Sequence, residues 1–227
     1  LYATFDEKPH LPALLKHSFL ASTLLFSFHV SAAISLLITD QNNQALEHAI
    51  IEIETLDAVQ TNIPDTPLVM DQIDKAFSPH VLTVPATSYV IFPNSDDIRH
   101  HVYSFSKAKP FELKLYAGQP KSPIMFENTG VVVLGCNIHD AMVGYIYVYN
   151  NSHVYMSNAK GETTIDIAPS NIKNAWLWHP RNNNGVKHKQ VINLAELKQA
   201  KATVTLTLPV APVKATGSFQ DVFKTAN

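Results

Sequence analysis

Apolar and charged residues alternate one by one in parts of this chain, and a period of two belongs to an extended strand with one face buried, because successive strand side chains point to opposite sides. Phe111-Glu112-Leu113-Lys114-Leu115 is the clearest run: Phe111, Leu113 and Leu115 are expected on one face and Glu112 and Lys114 on the other. Similar short runs cover Ala49 to Ile53, His80 to Val84, Tyr89 to Phe92, Val102 to Phe105, Ile124 to Phe126, Val131 to Leu134, Val143 to Tyr149, Thr163 to Ile167, Ala175 to Trp178 and Ala202 to Leu208. Pro, Asn, Asp and Gly punctuate them, so the sequence predicts an all-β sandwich architecture. Helical spacing is rare; the helix candidate is Leu194 to Lys201, capped by Asn193 with Glu196 at the third position.

With 227 residues, 46% of them hydrophobic, the chain can bury a sizeable core as one or two domains. Its 17 Lys+Arg against 19 Asp+Glu form no long run of one sign, which removes the basic footprint of a nucleic-acid binder. No G-x-G-x-x-G or P-loop pattern occurs, and the chain has only 7 glycines, so a nucleotide-dependent enzyme is not expected.

Phe19 to Ile38 carries no Asp, Glu, Lys or Arg, follows Lys16 and His17, and contains the small-residue run Val30-Ser31-Ala32-Ala33. This predicts a signal peptide over residues 1–33, cleaved near Ala32 or Ala33, and an exported, periplasmic or secreted, mature chain. An N-terminal membrane anchor is the competing reading. Export places the protein where an unpaired thiol is a liability unless something occupies it. There is one cysteine, Cys136, which can make no internal disulfide.

Gly135-Cys136-Asn137-Ile138-His139-Asp140-Ala141-Met142 sets Cys, His and Met at intervals of three between two apolar strands. A thiolate, an imidazole and a thioether suit copper: two His and one Cys in a trigonal plane with a distant Met make a blue-copper electron-transfer site. One more imidazole is needed, and His100 and His101 stand upstream in Pro93-Asn94-Ser95-Asp96-Asp97-Ile98-Arg99-His100-His101-Val102. Neighbours on a strand face opposite sides, so only one of the two should point at the ion.

In these residues the chain resembles the cupredoxin family, the run Asn94 to Val102 followed by Cys-x-x-His-x-x-Met being similar to amicyanin. The resemblance covers about Met70 to Tyr149 and includes Phe77-Ser78-Pro79 before a strand, as in plastocyanin-like proteins. It implies a Greek-key sandwich over residues 67–150 and one mononuclear type 1 copper, held by His100, Cys136, His139 and, weakly, Met142. The family register favours His100 over His101, which stands where cupredoxins commonly have Asn. The resemblance also implies a non-enzymatic electron carrier with periplasmic redox partners such as a c-type cytochrome or a dehydrogenase. The assembly resembles proteins labelled methylamine utilisation proteins.

The flanks resemble a carboxypeptidase-regulatory, transthyretin-like sandwich, whose pattern carries two Asp-x-x-Gly turns; here Asn43 and Asn158 replace the usual Gly and Asp. The expected organisation is therefore first strands of the small sandwich at 34–66, the copper domain at 67–150, the remainder of the small sandwich at 151–212, and a flexible tail at 213–227. Two small tandem β domains with no shared core are the alternative.

A buried structural cysteine, a zinc site completed by Asp140, and a cysteine hydrolase are the bland and rival chemical readings of Cys136. A copper storage or delivery module, and an adhesion unit with an accessory metal, are the rival functions. His80 and His153 read as surface or strand-end residues, His179 as packed at a turn before Pro180, and Met125 and Met156 as packing. Trp176 and Trp178 are expected in the core of the C-terminal sandwich.

Overall fold

The computed structural model describes residues 33–194 and 204–212. The predicted signal segment, the tail, and the helix candidate beyond Leu194 lie outside them. The described residues are nearly all β. The strands are β1 (Ile34–Thr39), β2 (Ile50–Thr55), β3 (Leu68–Val69), β4 (Asp71–Ile73), β5 (Ala76–Ser78), β6 (Val81–Pro85), β7 (Ser88–Ile91), β8 (His100–Ser104) and β9 (Phe111–Tyr116). They continue with β10 (Ile124–Phe126), β11 (Gly130–Cys136), β12 (Val143–Tyr149), β13 (His153–Met156), β14 (Glu162–Ile165), β15 (Ile172–Trp178), β16 (Gln190–Ile192) and β17 (Val204–Thr207).

A five-stranded sheet in the order β6-β12-β11-β8-β9 faces a smaller sheet, β10-β7-β3. Between them lies a core of Met70, Phe77, Val84, Val90, Phe92, Val102, Phe126, Val132, Leu134, Cys136, Met142, Ile146 and Val148. The sheets β13-β2-β15-β16 and β14-β1-β17 enclose a second core that includes Leu36, Ile38, Ile51, Ile53, Ile165, Leu177 and Leu208. The chain leaves β2 at Thr55 and returns beside it at His153, which pairs with Ile53.

Alternation explains how one sheet serves two cores. On β11 and β12, Val132, Leu134, Ile146 and Val148 face the first core. Their neighbours Val131, Val133, Tyr145 and Tyr147 pack on the opposite side against Ile50, Trp178 and Val186. Strands buried on both faces read as continuous apolar runs, as Val131 to Leu134 does. Trp178 is therefore packed between the sandwiches, against Tyr145 and Tyr147, rather than inside the C-terminal core. Trp176 is only partly buried.

The pattern in Phe111 to Leu115 is also corrected. Phe111 and Leu113 pack on the first core, but Leu115 is 48% exposed and Tyr116 takes the inward position. The β8–β9 register passes from Val102↔Leu113 to His100↔Tyr116, so β9 carries one more residue than β8 across that step. Such a bulge turns the following side chains to the other face.

Two turns of the second sandwich share one design. Asp40 Oδ1 accepts the N–H groups of Asn42 and Gln44, and Asn43 adopts φ 61°. Asn158 Oδ1 accepts those of Lys160 and Glu162, and Gly161 adopts φ 75°. Asn supplies the same acceptor as Asp and tolerates left-handed backbone as Gly does, so both departures from Asp-x-x-Gly preserve the turn.

Candidate metal centre

His100 is the first residue of β8 and Cys136 the last of β11, and the two strands pair antiparallel with Cys136 opposite Val102. Val102 and Cys136 both face the first core, so residue 100, two positions from 102, points the same way. His100 and Cys136 are completely buried. The loop from β11 to β12 supplies His139, partly buried, and Met142, 1% exposed; the Met142 N–H closes that loop on the His139 carbonyl at 2.9 Å.

Cys136 Sγ lies 3.7 Å from His100 Nδ1 and 3.8 Å from His139 Nδ1. Ligand-type atoms of the three residues all fall within 4.8 Å of one another, and they form the one such group of three or more His, Cys, Asp or Glu among the described residues. Bonds of about 2.3 Å to sulfur and about 2.0–2.1 Å to nitrogen, typical of zinc, separate S from N by about 3.8 Å at a trigonal angle and about 3.6 Å at a tetrahedral one. The observed 3.7 and 3.8 Å match the sulfur–nitrogen spacing that one shared ion requires. Met142 is buried in the core that holds Cys136. Asp140, which would complete a zinc set, is exposed and outside the group.

Of the adjacent histidines, His101 turns to the other face, where its Nε2 sits 2.9 Å from Glu112 Oε1 and its ring lies against Tyr103. His100 Nε2 sits 2.6 Å from Asp96 Oδ2. A carboxylate only accepts, so Nε2 carries the proton and the Nδ1 lone pair is left facing the thiol. Asp96 in turn accepts the backbone N–H of Asp74 at 2.6 Å and of Lys75 at 3.0 Å, both left-handed residues in the turn between β4 and β5. Burial acts to raise the Asp96 pKa, but the Lys75 N–H, the His100 imidazole and the Asp74 N–H outweigh it and hold the carboxyl below its usual range. The loop is fixed further by Asn94, whose Nδ2 donates to the carbonyls of Ile98 and Tyr116.

The role of Asp96 was not legible in the sequence, because an Asp four residues before a loop histidine has many possible partners. The His139 pKa is lowered by burial first and then by the charges of His100 and Lys75, which favours the neutral ring a metal needs.

No protein-family profile matches this chain, and no curated protein matches it. Among solved structures it is similar to a copper-containing nitrite reductase from Thermus scotoductus SA-01 (24% identity, 43% of this chain and 25% of that chain, TM-score 0.36). It is also similar to a mutant of amicyanin in its oxidised state (15% identity, 45% of this chain and 100% of that one, TM-score 0.34). A third is a purple cupredoxin from Nitrosopumilus maritimus (22% identity, 37% of this chain and 100% of that one, TM-score 0.32). The chain thus spans a quarter of the nitrite reductase's length. Among the described residues no helix is long and apolar enough to cross a membrane.

Proposed function

We propose that this chain is an exported type 1 copper protein of the cupredoxin kind that carries single electrons between periplasmic redox partners and catalyses no reaction itself. The observation that supports this most directly is the placement of two imidazole Nδ1 atoms 3.7 and 3.8 Å from one buried cysteine sulfur. With Met142 buried in the same core, these residues supply the donor types of blue copper. A bound copper ion would supply a one-electron couple at this point. The protein's part is to hold the donors still: His100 and Cys136 stand on paired strands, and Asp96 fixes the His100 ring. A site that changes little between oxidation states exchanges electrons with little reorganisation.

His139 is the donor nearest solvent, and Ile138 beside it is 51% exposed. This rim suits weak docking of a c-type cytochrome or a dehydrogenase through a small interface. Residues 67–150 are read as the copper domain and the strands of 34–66 and 151–212 as one carboxypeptidase-regulatory-like sandwich split around it.

The test is an absorption spectrum of the protein with Cu(II), followed by repeated cycles of ascorbate and ferricyanide. An intense thiolate-to-copper band that bleaches and returns is expected, and Cys136→Ser should abolish it. A band lost at the first reduction would favour copper delivery, and no band would remove the copper–thiolate assignment.

A further inference from the structure

Two more imidazoles meet near the Met142 end of β12, outside the sandwich core. His80 precedes β6, and its carbonyl accepts the Tyr145 N–H at 3.0 Å. His48 lies in the turn before β2, and its ring centroid is 5.7 Å from that of His80 at an interplanar angle of 57°. The His100–His139 pair of the candidate metal centre has nearly the same arrangement, 5.0 Å and 58°. The Glu47 carboxylate stands 3.8 Å from His48 Nε2, and both imidazoles reach solvent.

Three features prepare this pair. His48 has φ 63°, a left-handed conformation that costs a non-glycine residue on the order of 1–3 kcal/mol and concentrates at sites where a side chain must be aimed. The His80 ring packs edge-on to Tyr145, with ring centroids 5.3 Å apart, which holds its plane beside the His48 ring. Desolvation of that ring against its neighbours, and then the charge of His48, lower its pKa, which favours the neutral form a metal needs. His179 is nearby but not available: its Nε2 is 3.1 Å from the Glu47 carbonyl, and its Nδ1 accepts the Arg181 N–H.

We propose that the His48 and His80 imidazoles form a second, surface site for a divalent first-row transition ion such as Cu2+ or Zn2+, with the Glu47 carboxylate at the edge of the pair and not in a preformed three-ligand group. Imidazole is a borderline donor, suited to these divalent ions and less to Cu(I), which prefers sulfur. Water completes the coordination. The site shares no ligand with the His100–Cys136–His139 centre and does not depend on what that centre binds.

The test is titration of the whole protein with Cu2+, followed by electron paramagnetic resonance and isothermal calorimetry. A second equivalent is expected, with the wide hyperfine splitting of nitrogen- and oxygen-bound Cu2+ and no thiolate band. His80→Ala should weaken that equivalent at least tenfold, and so should His48→Asn, which keeps a residue tolerant of left-handed backbone. His153→Ala should leave it intact, and far-UV circular dichroism reports the fold of each variant. Absence in the native protein of any equivalent with the splitting of nitrogen- and oxygen-bound Cu2+, or such an equivalent that survives in both folded variants or disappears equally with His153→Ala, would overturn the site. Absence of a thiolate band would count against the first centre alone.

Discussion

Asp96 joins the candidate metal centre to the rest of the fold through one carboxylate, with the His100 Nε2–H on one side and the Asp74 and Lys75 N–H groups on the other. Partners of this kind orient a ligand imidazole and raise its basicity, and losing one typically lowers metal affinity by about 10–100-fold. Asp96→Asn is therefore expected to weaken Cu(II) binding within that range and raise the reduction potential, read by competition titration and voltammetry, with the thiolate band retained. Met142→Leu should also keep the band and raise the potential, because the axial donor tunes the copper couple. Among single residues the sequence was informative where spacing is short: Cys136, His139 and Met142 sit in one loop. For the distant imidazole it left two candidates, and only the strand face separates His100 from His101.

Among the elements, strand existence was legible and strand edges were not. Ile124–Phe126 and Val143–Tyr149 lie where the apolar pattern puts them. The strand expected from Val102 begins at His100, which places a ligand type on the sheet instead of in a loop. The short β4–β5 hairpin carries too few apolar residues to announce itself, yet its turn supplies the two donors to Asp96. That hairpin is pressed close to β12: a Cβ on Gly144 would stand 2.7, 2.9 and 3.0 Å from three carbons of Phe77, itself 3% exposed. Gly144→Ala overpacks this contact and should cost about 1–3 kcal/mol in urea unfolding.

Across the molecule as a whole, a buried polar cluster sits among the residues joining the two sandwiches. Glu52, 8% exposed, accepts the Tyr147 hydroxyl at 2.7 Å and the Ser152 hydroxyl at 2.9 Å, and it pairs with Lys189, whose ammonium lies over the Tyr147 ring. Burial, and then the Glu52 charge, push the Tyr147 pKa up, so the phenol stays protonated and donates. Glu52→Ala leaves that donor and the ammonium unpartnered and should destabilise the protein by about 3 kcal/mol in chemical denaturation.

His179, 4% exposed, gives this region a pH dependence: burial, then the Arg181 charge, lower its pKa from 6.5 to about 4. Between those values the unfolded chain takes up a proton that the folded one refuses, so stability falls as pH drops from 6.5 towards 4, by roughly 3 kcal/mol from this group. Thermal melts of the native protein and His179→Gln over that range should show the variant losing less.

The all-β class, and the grouping of a thiol, an imidazole and a thioether in one loop, could be read from the linear chain, because a period of two and a three-residue spacing are local properties that need no partner. The two Asx turns came only with the structure, because in the chain Asn43 and Asn158 read as departures from Asp-x-x-Gly. Folding in three dimensions settled which side of β8 meets the thiol, where β9 changes face, that Trp178 lies between the sandwiches, and that Asp96, His48 and His80 have the partners they do. Those depend on strand register and on contacts between residues far apart in the chain, which hydrophobic pattern alone leaves open.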